Sequence, residues 1–319
     1  MSSLSVIIAT MDREEELYRC LDSIWAQSRL PQELVIVDDG ALDVEALRLR
    51  VPQGVEFQYH RKSPPGLSAS RNLGARVAKG EFILFLDDDV VLERNFIEEI
   101  LRVFHEDETE RLAGVSGVIT NRGSKPKWFS LWARFFLMEK GPPGRLLPWG
   151  YYSSASIPEA VKEVQWIPGG LSCFRKEVLE QFNFWDMNQK GRHGLEDVEF
   201  GWRVSATYTL KTTPFARLAH YPPQRSSKGA IQRGLRQVMG HAHLFRLHGE
   251  QSLLNKARFL WATTGLVLGN LGAALVVRGK DERIWRLLLG LGNLVGALKI
   301  LPQAAMWKGL APKTRKRAG

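Results

Sequence analysis

The stretch EFILFLDDDVV, residues 81–91, decides the fold because it sets three aspartates directly after a buried strand. Five apolar residues in a row have the length and composition of such a strand. Adjacent carboxylates repel one another, and a divalent cation offsets that repulsion by supplying the opposite charge. Oxygen ligands suit Mg²⁺ or Mn²⁺. The stretch therefore predicts a metal-binding loop, although a single aspartate would serve equally well as a helix cap.

The sequence around this stretch alternates short apolar runs with amphipathic helical stretches, a pattern typical of an α/β fold with a mostly parallel sheet flanked by helices. We predict strands at LSVIIAT, ELVIVDDG, VEFQYHR, EFILFL and AGVSGVI, and helices at EEELYRCLDSIWAQ, SASRNLGARVAKG and RNFIEEILRVF. Further along the chain we predict a strand, a Gly-Gly turn, a strand and a helix in EVQWIPGGLSCFRKEVLEQF, and a helix at GLEDVEFGWRVSA. Gly80 is expected to close the second helix as a left-handed cap. Thr10, Asp38, Asp39 and the aspartate triplet then share the carboxyl-end edge of the sheet, where α/β proteins bind ligands.

The composition excludes disorder and a disulfide framework. With 319 residues and 44% hydrophobic content, the chain can bury a large core. Its two cysteines, Cys20 and Cys173, are far apart in the sequence and indicate buried thiols in a reducing compartment. The N-terminus shows no secretory signal, so we expect the protein to begin its life in the cytosol.

The net charge of +10 belongs to the last third of the chain, because residues 224–319 hold 17 Lys and Arg against 3 Asp and Glu. The same region contains 19 uncharged residues, 259–277, which is long enough to span a bilayer. A spanning hairpin would place the basic loop RGKDER on the far side, against the positive-inside tendency. An interfacial or re-entrant helical pair and a soluble helical subdomain remain alternatives. The α/β part is net acidic, which argues against nucleic-acid binding.

Three further motifs carry polar groups with two possible interpretations each. In VIVDDG, a carboxylate can accept a nucleobase N–H or cap a loop. In GLSASRNLG, Arg71 near a helix start favours a phosphate group, although an exposed helical arginine is an equally ordinary feature. In HGLEDVEF, Glu196 and Asp197 cannot both face one ligand, and a simple helix cap is the alternative.

The order of these motifs resembles glycosyltransferase family 2, enzymes of the GT-A fold that pass a sugar from a nucleotide-sugar donor to an acceptor. The matching stretches lie within residues 3–223 and are SVIIATMDR, VIVDDG, GLSASRNLGARVAKGEFILFLDDDV with its DxD region, WIPGGLSCFRKEVL and HGLEDVEF. The resemblance implies a Rossmann-like catalytic domain over residues 1–223. We assign residues 224–319 to a helical region associated with the cytoplasmic side of the membrane.

The resemblance also implies roles for individual residues. Asp197 would be the general base of an inverting transfer to a hydroxyl of a glycan or lipid-linked acceptor, as in polysaccharide biosynthesis. The expected contacts of a UDP-, GDP- or dTDP-sugar are Thr10, Asp12, Asp39, Arg71, Asp87 and Asp88. Asp89 would be the main ligand of Mn²⁺ or Mg²⁺. His220 would be a further metal or phosphate contact, with a structural histidine as the alternative. Residues expected near the acceptor or behind the base are Trp166, Gly169, Gly170 and Glu196.

Three points remain open from the sequence. Relatives commonly have Pro-Thr-Tyr-Asn where this chain has residues 9–12, Ala-Thr-Met-Asp, so the aromatic that could stack on the base is missing. The irregular segment 125–156 and the loop WDMNQKGRHG are expected to bind the acceptor or close over it. The tryptophans Trp128, Trp132, Trp149 and Trp166 would stack on sugar or lipid, or serve as core or membrane-contact aromatics.

Two other activities compete with glycosyl transfer. A nucleotidyltransferase also uses a Rossmann-like half and a carboxylate-held metal, but it would need a Gly-rich, basic loop where this chain has ATMDREEE. A catalytically silent, membrane-bound nucleotide-sugar-binding protein would be expected to lack Asp89 or Asp197, and both are present. A further cluster, His241, His243 and His248, does not share one helical face and is not predicted to bind metal.

Overall fold

The computed structural model describes residues 2–109, 111–123, 126–154, 157–182, 194–223 and 227–305, with side chains described up to residue 301. The strands in this part of the chain are β1 Leu4–Thr10, β2 Glu33–Asp38, β3 Glu56–Arg61, β4 Phe82–Asp87, β5 Val90–Leu92, β6 Leu112–Ile119, β7 Lys162–Val164, β8 Leu171–Arg175 and β9 Thr209–His220. The helices are α1 Glu14–Trp25, α2 Val44–Leu49, α3 Leu67–Val77, α4 Phe96–His105, α5 Lys127–Phe135, α6 Lys176–Gln181, α7 Glu196–Val204, α8 Ala230–His248, α9 Leu253–Val276 and α10 Lys280–Ala305.

These strands form one sheet in the order β3-β2-β1-β4-β8-β6-β9-β5, with β7 paired to β9. The first four strands in this order, β3, β2, β1 and β4, are parallel, as predicted. The other half is mixed, because β8 runs antiparallel to both β4 and β6, whereas β6 and β9 are parallel. The α/β class is confirmed. The second half of the sheet includes β5 and β9, which were not predicted: β5 has only three residues, and β9 contains Pro214 among alternating polar residues.

The register of the parallel half sets the position of the site. Thr10 pairs with Asp38 on one side, and Ala9 pairs with Asp87 on the other. These strands therefore end at the same edge, as expected from the sequence. Alternate residues of β1 face opposite layers: Val6 packs in a core cluster with α1 and α4, and Ile7 packs in a second cluster with α3, α6 and α7.

Gly80 does not act as the predicted helix cap. The helix α3 ends at Val77, and Ala78 already has extended dihedrals, with φ −62° and ψ 141°. Gly80 is not among the glycines with positive φ. Its role is steric, because a Cβ at this position would lie 2.6 Å from the backbone nitrogen of Ser5. The glycine lets the chain pass close to β1 as it enters β4.

Segment 125–156 contains more regular structure than predicted, because α5 lies within it. Trp132 of this helix donates its indole N–H to the carbonyl of Gly265 in α9 at 3.0 Å. Trp149 is buried and donates to the carbonyl of Leu137 at 2.8 Å, so it belongs to the core. The loop WDMNQKGRHG lies outside the described residues except for Gly194.

The helices α8, α9 and α10 pack through glycines and buried amides. A Cβ at Gly292 of α10 would lie 2.1 Å from the carbonyl of Ile231 in α8. Asn270 of α9 donates to Asn293 of α10 at 2.8 Å, and Asn293 donates to the carbonyl of Gly234 in α8 at 2.9 Å. By length and composition, Leu253–Val276 and Lys280–Leu301 could each cross a membrane. Small residues and interhelical amide bonds are common in such helices.

The glycine contact between α8 and α10 leads to a stability prediction. Gly292→Ala is expected to lower the free energy of unfolding by about 1–3 kcal/mol, because the new methyl group overpacks a backbone contact. Gly272→Ala in α9 is the matched control, since no atom lies within 4 Å of its Cβ position. That substitution should raise stability by about 1 kcal/mol through helix propensity. Thermal unfolding of both variants in detergent checks the opposite signs, and equal shifts would contradict the packing described here.

Candidate active site

The three aspartates after β4 have different partners. Asp87 Oδ1 accepts a hydrogen bond from Arg71 Nη2 at 2.6 Å. Asp88 accepts bonds from Thr10 Oγ1 at 2.8 Å and Arg13 Nη1 at 2.9 Å. Asp89 Oδ2 accepts a second bond from the same Arg13 nitrogen at 3.0 Å. The chain therefore offsets the repulsion within the triplet by surrounding it with hydrogen-bond donors, two of them cationic.

Asp87, Asp89 and His220 form a candidate metal site, since their ligand atoms all lie within 4.8 Å of one another. His220 reaches the aspartates because β9 pairs antiparallel with β5, where Val90 is opposite His220. Asp89 Oδ1 is buried without a well-oriented hydrogen bond, although His220 Nε2 lies 3.0 Å away. Two ligands at right angles, each about 2.1 Å from one ion, are separated by about 3 Å. Two carboxylates and an imidazole thus fit a divalent cation.

The pKa values of Asp88 and Asp89 shift in opposite directions. Burial is the largest influence on both and favours the neutral acid. For Asp88 burial prevails, and its pKa is raised despite the bonds from Thr10 and Arg13. For Asp89, His220 and Arg13 outweigh burial and lower the pKa. Asp89 is therefore the better anion of the two, in keeping with its predicted role as a metal ligand.

Arg13 was not among the residues predicted from the sequence. Its side chain is about one-third exposed (34%), and one nitrogen, Nη1, bridges Asp88 and Asp89. Burial acts to lower its pKa, but attraction to the two carboxylates raises it overall. The available signal was its place in ATMDR, where a cation directly follows the strand that ends at the ligand edge. Arg13 is thus a further candidate for contact with the donor phosphates.

The two aspartates of VIVDDG have separate functions. Asp38 is fully buried and accepts bonds from the Gly40 N–H at 2.6 Å and the Tyr59 hydroxyl at 2.7 Å, so it holds the loop. Asp39 accepts from the Gly66 N–H at 2.7 Å, just before α3. It is also 2.9 Å from Lys62 Nζ, another cation that was not predicted. Only about 8% of the Asp39 side chain is exposed, so Asp39 also ties the loop after β2 to the start of α3.

Asp12 lies in the turn after β1. It is exposed and has φ 55°, a left-handed conformation that aspartate tolerates better than most residues. The turn passes close to Gly40, where a Cβ would lie 2.4 Å from Asp12 Oδ1. Asp12 and Asp39 therefore belong to neighbouring loops at the ligand edge, although no contact between their side chains is found among the described residues.

The Gly169–Gly170 pair lies between the aspartate triplet and Asp197. The carbonyl of Gly170 accepts the Asp87 N–H at 3.1 Å, and a Cβ on Gly170 would lie 2.0 Å from Asp87 Oδ2. The Gly169 backbone hydrogen-bonds Asp197, which also accepts from the Val198 N–H at 2.9 Å. This glycine turn therefore contacts Asp87 through Gly170 and Asp197 through Gly169.

Asp197 sits in an environment that favours its neutral form. Burial, followed by the negative charge of Glu196, raises the pKa of Asp197 to about 6, although Arg71 and the backbone bonds act in the other direction. Leu195, with φ 67°, starts α7 immediately before the two acids. A carboxylate with a pKa near neutrality is a stronger base than an ordinary aspartate and is still ionised at pH 7.

Trp166 is buried and packs against α7. Its indole N–H donates to the carbonyl of Ser153 at 3.2 Å, and its ring meets Tyr152 edge-on. A Cβ at Gly201 of α7 would lie 2.6 Å from Trp166 Cβ. Of the two predicted interpretations, the structure favours a positioning role for Trp166, since its ring has no open face for a sugar.

A cleft of about 1440 Å³ opens beside Glu196, between the α/β part and the C-terminal helices. Its walls include the start of α3 at residues 66–69, several residues of α5, and parts of α8, α9 and α10. Segment 125–156 therefore lines a cavity, as expected, through α5 and through Tyr151 and Tyr152. The lining includes Glu196, the sequence neighbour of Asp197, whereas Asp197 itself and the aspartate triplet are not part of it.

Comparison with known proteins identifies a glycosyltransferase. Residues 5–180 match the model of "Glycosyl transferase family 2", which is more than half of the chain. The protein therefore belongs to glycosyltransferase family 2, as its motifs indicated. This membership favours glycosyl transfer over the nucleotidyltransferase and the silent binding protein.

Individual relatives are similar over part of their length. The poly(ribitol-phosphate) beta-N-acetylglucosaminyltransferase TarP of Staphylococcus aureus (strain N315) is 31% identical over 132 residues, and the match spans 40% of each chain. The mannosyltransferase PcManGT from Pyrobaculum calidifontis, solved with GDP-Man and Mn²⁺, has a TM-score of 0.59 at 18% identity. The match covers 94% of this chain and 87% of the PcManGT chain. GalNAc-T7, solved with UDP, GalNAc and Mn²⁺, has a TM-score of 0.55 at 16% identity, covering 83% of this chain and 56% of its own. These likenesses confirm the GT-A fold.

The contact between Gly170 and Asp87 leads to a second prediction. Gly170→Ala should displace the Asp87 carboxylate and weaken Mn²⁺ binding by about 1–3 kcal/mol, the usual cost of overpacking. Gly123→Ala is the control, because no atom lies within 4 Å of that Cβ position. Isothermal titration with Mn²⁺ measures both variants. Unchanged Mn²⁺ affinity in Gly170→Ala would show that Asp87 is not a ligand held by this turn.

Proposed function

We propose that the protein is an inverting glycosyltransferase that moves a sugar from a nucleotide-diphosphate donor to a hydroxyl of a glycan or a lipid-linked acceptor. The observation that carries this proposal is a pair of carboxylates in contrasting surroundings, Asp89 in the candidate metal site and Asp197 beside the Gly169–Gly170 turn. Asp89 has a lowered pKa beside His220, and Asp197 has a pKa raised to about 6. Titratable groups whose pKa values are pushed apart in one site are typical of divided acid–base roles.

On the donor side, Asp87, Asp89 and His220 would hold Mn²⁺ or Mg²⁺. The cation would supply Lewis-acid stabilisation of the departing diphosphate. Arg13 and Arg71 both hydrogen-bond to the triplet and would add positive charge around the donor phosphates. The presence of Mn²⁺ in the structures of PcManGT and GalNAc-T7 supports this assignment of the site.

On the acceptor side, Asp197 would take the proton of the attacking hydroxyl. The acceptor oxygen forms a bond to the anomeric carbon while the bond from that carbon to the diphosphate oxygen breaks, and its electron pair leaves with the diphosphate. A single displacement inverts the anomeric configuration and needs no covalent enzyme intermediate. Gly169 would help to keep Asp197 in place through its backbone.

The nucleoside would lie over the loops after β1 and β2. Asp39 offers a carboxylate at the start of α3, and Thr10 is fixed by its bond to Asp88. Neither residue selects among uracil, guanine and thymine, so UDP-, GDP- and dTDP-sugars are all candidate donors. The basic C-terminal region and the two long apolar helices support placement at the cytoplasmic face of a membrane.

Donor binding provides the direct test of the metal and donor roles. Binding of UDP-, GDP- and dTDP-sugars should require Mn²⁺ or Mg²⁺ for one of the three, with slow hydrolysis of that donor. Asp89→Asn should weaken metal-dependent binding by about 1.5–3 kcal/mol, the contribution of a bond to a charged group. Asp22→Asn, on an exposed face of α1, is the control. If no donor binds with either cation, the transferase proposal fails.

Asp197 provides the test of the base. Asp197→Asn should retain donor binding and lose transfer, and the wild-type rate should decline as pH falls through about 6, because the base becomes protonated. The same pKa predicts that Asp197→Asn raises stability at pH 7, by at most about 3 kcal/mol, since ionisation costs more in the folded than in the unfolded state.

Glu196→Gln is the matched neighbour variant. It should keep transfer activity and move the acid limb to lower pH, because the negative charge that helps to raise the Asp197 pKa is removed. Initial rates measured between pH 4.5 and 8 for both variants separate the two residues. Full activity of Asp197→Asn would remove this residue from the mechanism.

A further inference from the structure

The cleft beside Glu196 has a basic and an acidic part. Arg233 and Arg236 of α8 line it, whereas Glu139, just after α5, and Glu196, at the start of α7, are the acids in its walls. Much of the remaining lining is apolar and comes from the helices, namely Trp128, Trp132, Leu266, Ala273, Trp285 and Leu289. Four cationic side chains line the cavity, Lys228, Arg233, Arg236 and Arg286. A cavity with such a basic part and a long apolar wall fits an amphiphile with a phosphate group.

The two arginines are available to a ligand. Three residues apart on a helix, they lie on the same side of α8. Both are exposed, and their side chains make no ion pair or hydrogen bond with any residue that the structure describes. Arg286 also lines the cleft, but it pairs with Glu282 at 2.9 Å. Guanidinium groups bind phosphate oxygens in a bidentate fashion, which lysine does not.

The apolar wall continues onto the outer surface of the protein. Trp128, Leu131 and Phe135 form an exposed ridge along α5, with exposed fractions of 53%, 68% and 65%. The ring of Phe135 meets the exposed Trp261 of α9 at 5.4 Å, so the ridge joins the apolar face of a candidate membrane helix. A lipid chain in the bilayer would therefore reach the cleft along a continuous apolar surface.

We propose that this cleft binds the lipid phosphate of a membrane-anchored acceptor. Arg233 and Arg236 hold the phosphate, the chain lies along α5 and α9, and the group to be glycosylated extends past Glu196 towards Asp197. The assignment of the occupant as acceptor rests on the proposed function. The occupant is a long-chain alkyl or polyprenyl phosphate whose phosphate also carries the group to be glycosylated, in contrast to bulk anionic phospholipid or a soluble polyol phosphate.

Binding of dodecyl phosphate to the full chain in neutral detergent tests this site without reference to activity. Wild type should bind dodecyl phosphate at least about tenfold more tightly than dodecanol or glycerol phosphate, because the site needs both parts of the ligand. Arg233→Gln/Arg236→Gln should lose about ten- to hundredfold in affinity, as expected from charged hydrogen bonds. Gln232→Glu adds a negative charge to the lining and keeps the size of the side chain, and it should also weaken binding.

The control is Arg246→Gln/Arg283→Gln, which removes the same charge from exposed positions of α8 and α10 outside the lining. It should bind dodecyl phosphate like wild type. Equal loss in the control and the test variant would overturn the site, as would equal binding of glycerol phosphate. Full displacement by equimolar phosphatidylglycerol would show a bulk-lipid site and overturn the acceptor assignment. Nucleotide-sugar binding is measured separately, so failure of the proposed function is distinguishable from failure of this site.

Discussion

Electrostatic repulsion among three consecutive carboxylates is the constraint on which the site depends. The triplet can exist at the end of a buried strand because Thr10, Arg13, Arg71 and His220 surround it within about hydrogen-bonding distance. These four residues come from β1, the loop after it, α3 and β9. The mixed sheet and the close packing of α3 against β1 are what bring such distant parts of the sequence to one edge. The triplet thus ties together the two halves of the sheet.

The Gly169–Gly170 turn gives the site its second constraint. Gly170 lies against Asp87, where a Cβ would overlap the carboxylate, and the backbone of the adjacent Gly169 hydrogen-bonds Asp197. The raised pKa of Asp197 and the lowered pKa of Asp89 show that the two sides differ in electrostatic character although both present carboxylates. Burial next to Glu196 on one side and cations on the other produce this difference.

Much of the fold and part of the site were predictable from the sequence, because local signals were strong. The strands β1, β2 and β4 are continuous apolar runs, and the acids at their ends follow from the α/β order. His220 had only a weak signal, because its position depends on β9 pairing with β5, a long-range contact of two irregular strands. Arg13 and Lys62 are ordinary surface cations in the sequence, and only the fold shows that they contact Asp89 and Asp39. Gly80 fits a cap motif, but a close approach of two backbones determines its role.

The pairing of β5 with β9 limits how far the candidate metal site can lie from the C-terminal helices. His220, at the metal site, is the last residue of β9, and only residues 221–229 connect it to α8. A connection of this length spans at most roughly 35 Å even when fully extended. If α9 and α10 lie in the bilayer as proposed, this short connection keeps the reaction centre within a limited distance of the membrane surface. The enzyme would then select among acceptors by the height of their hydroxyl above the lipid headgroups as well as by their chemistry.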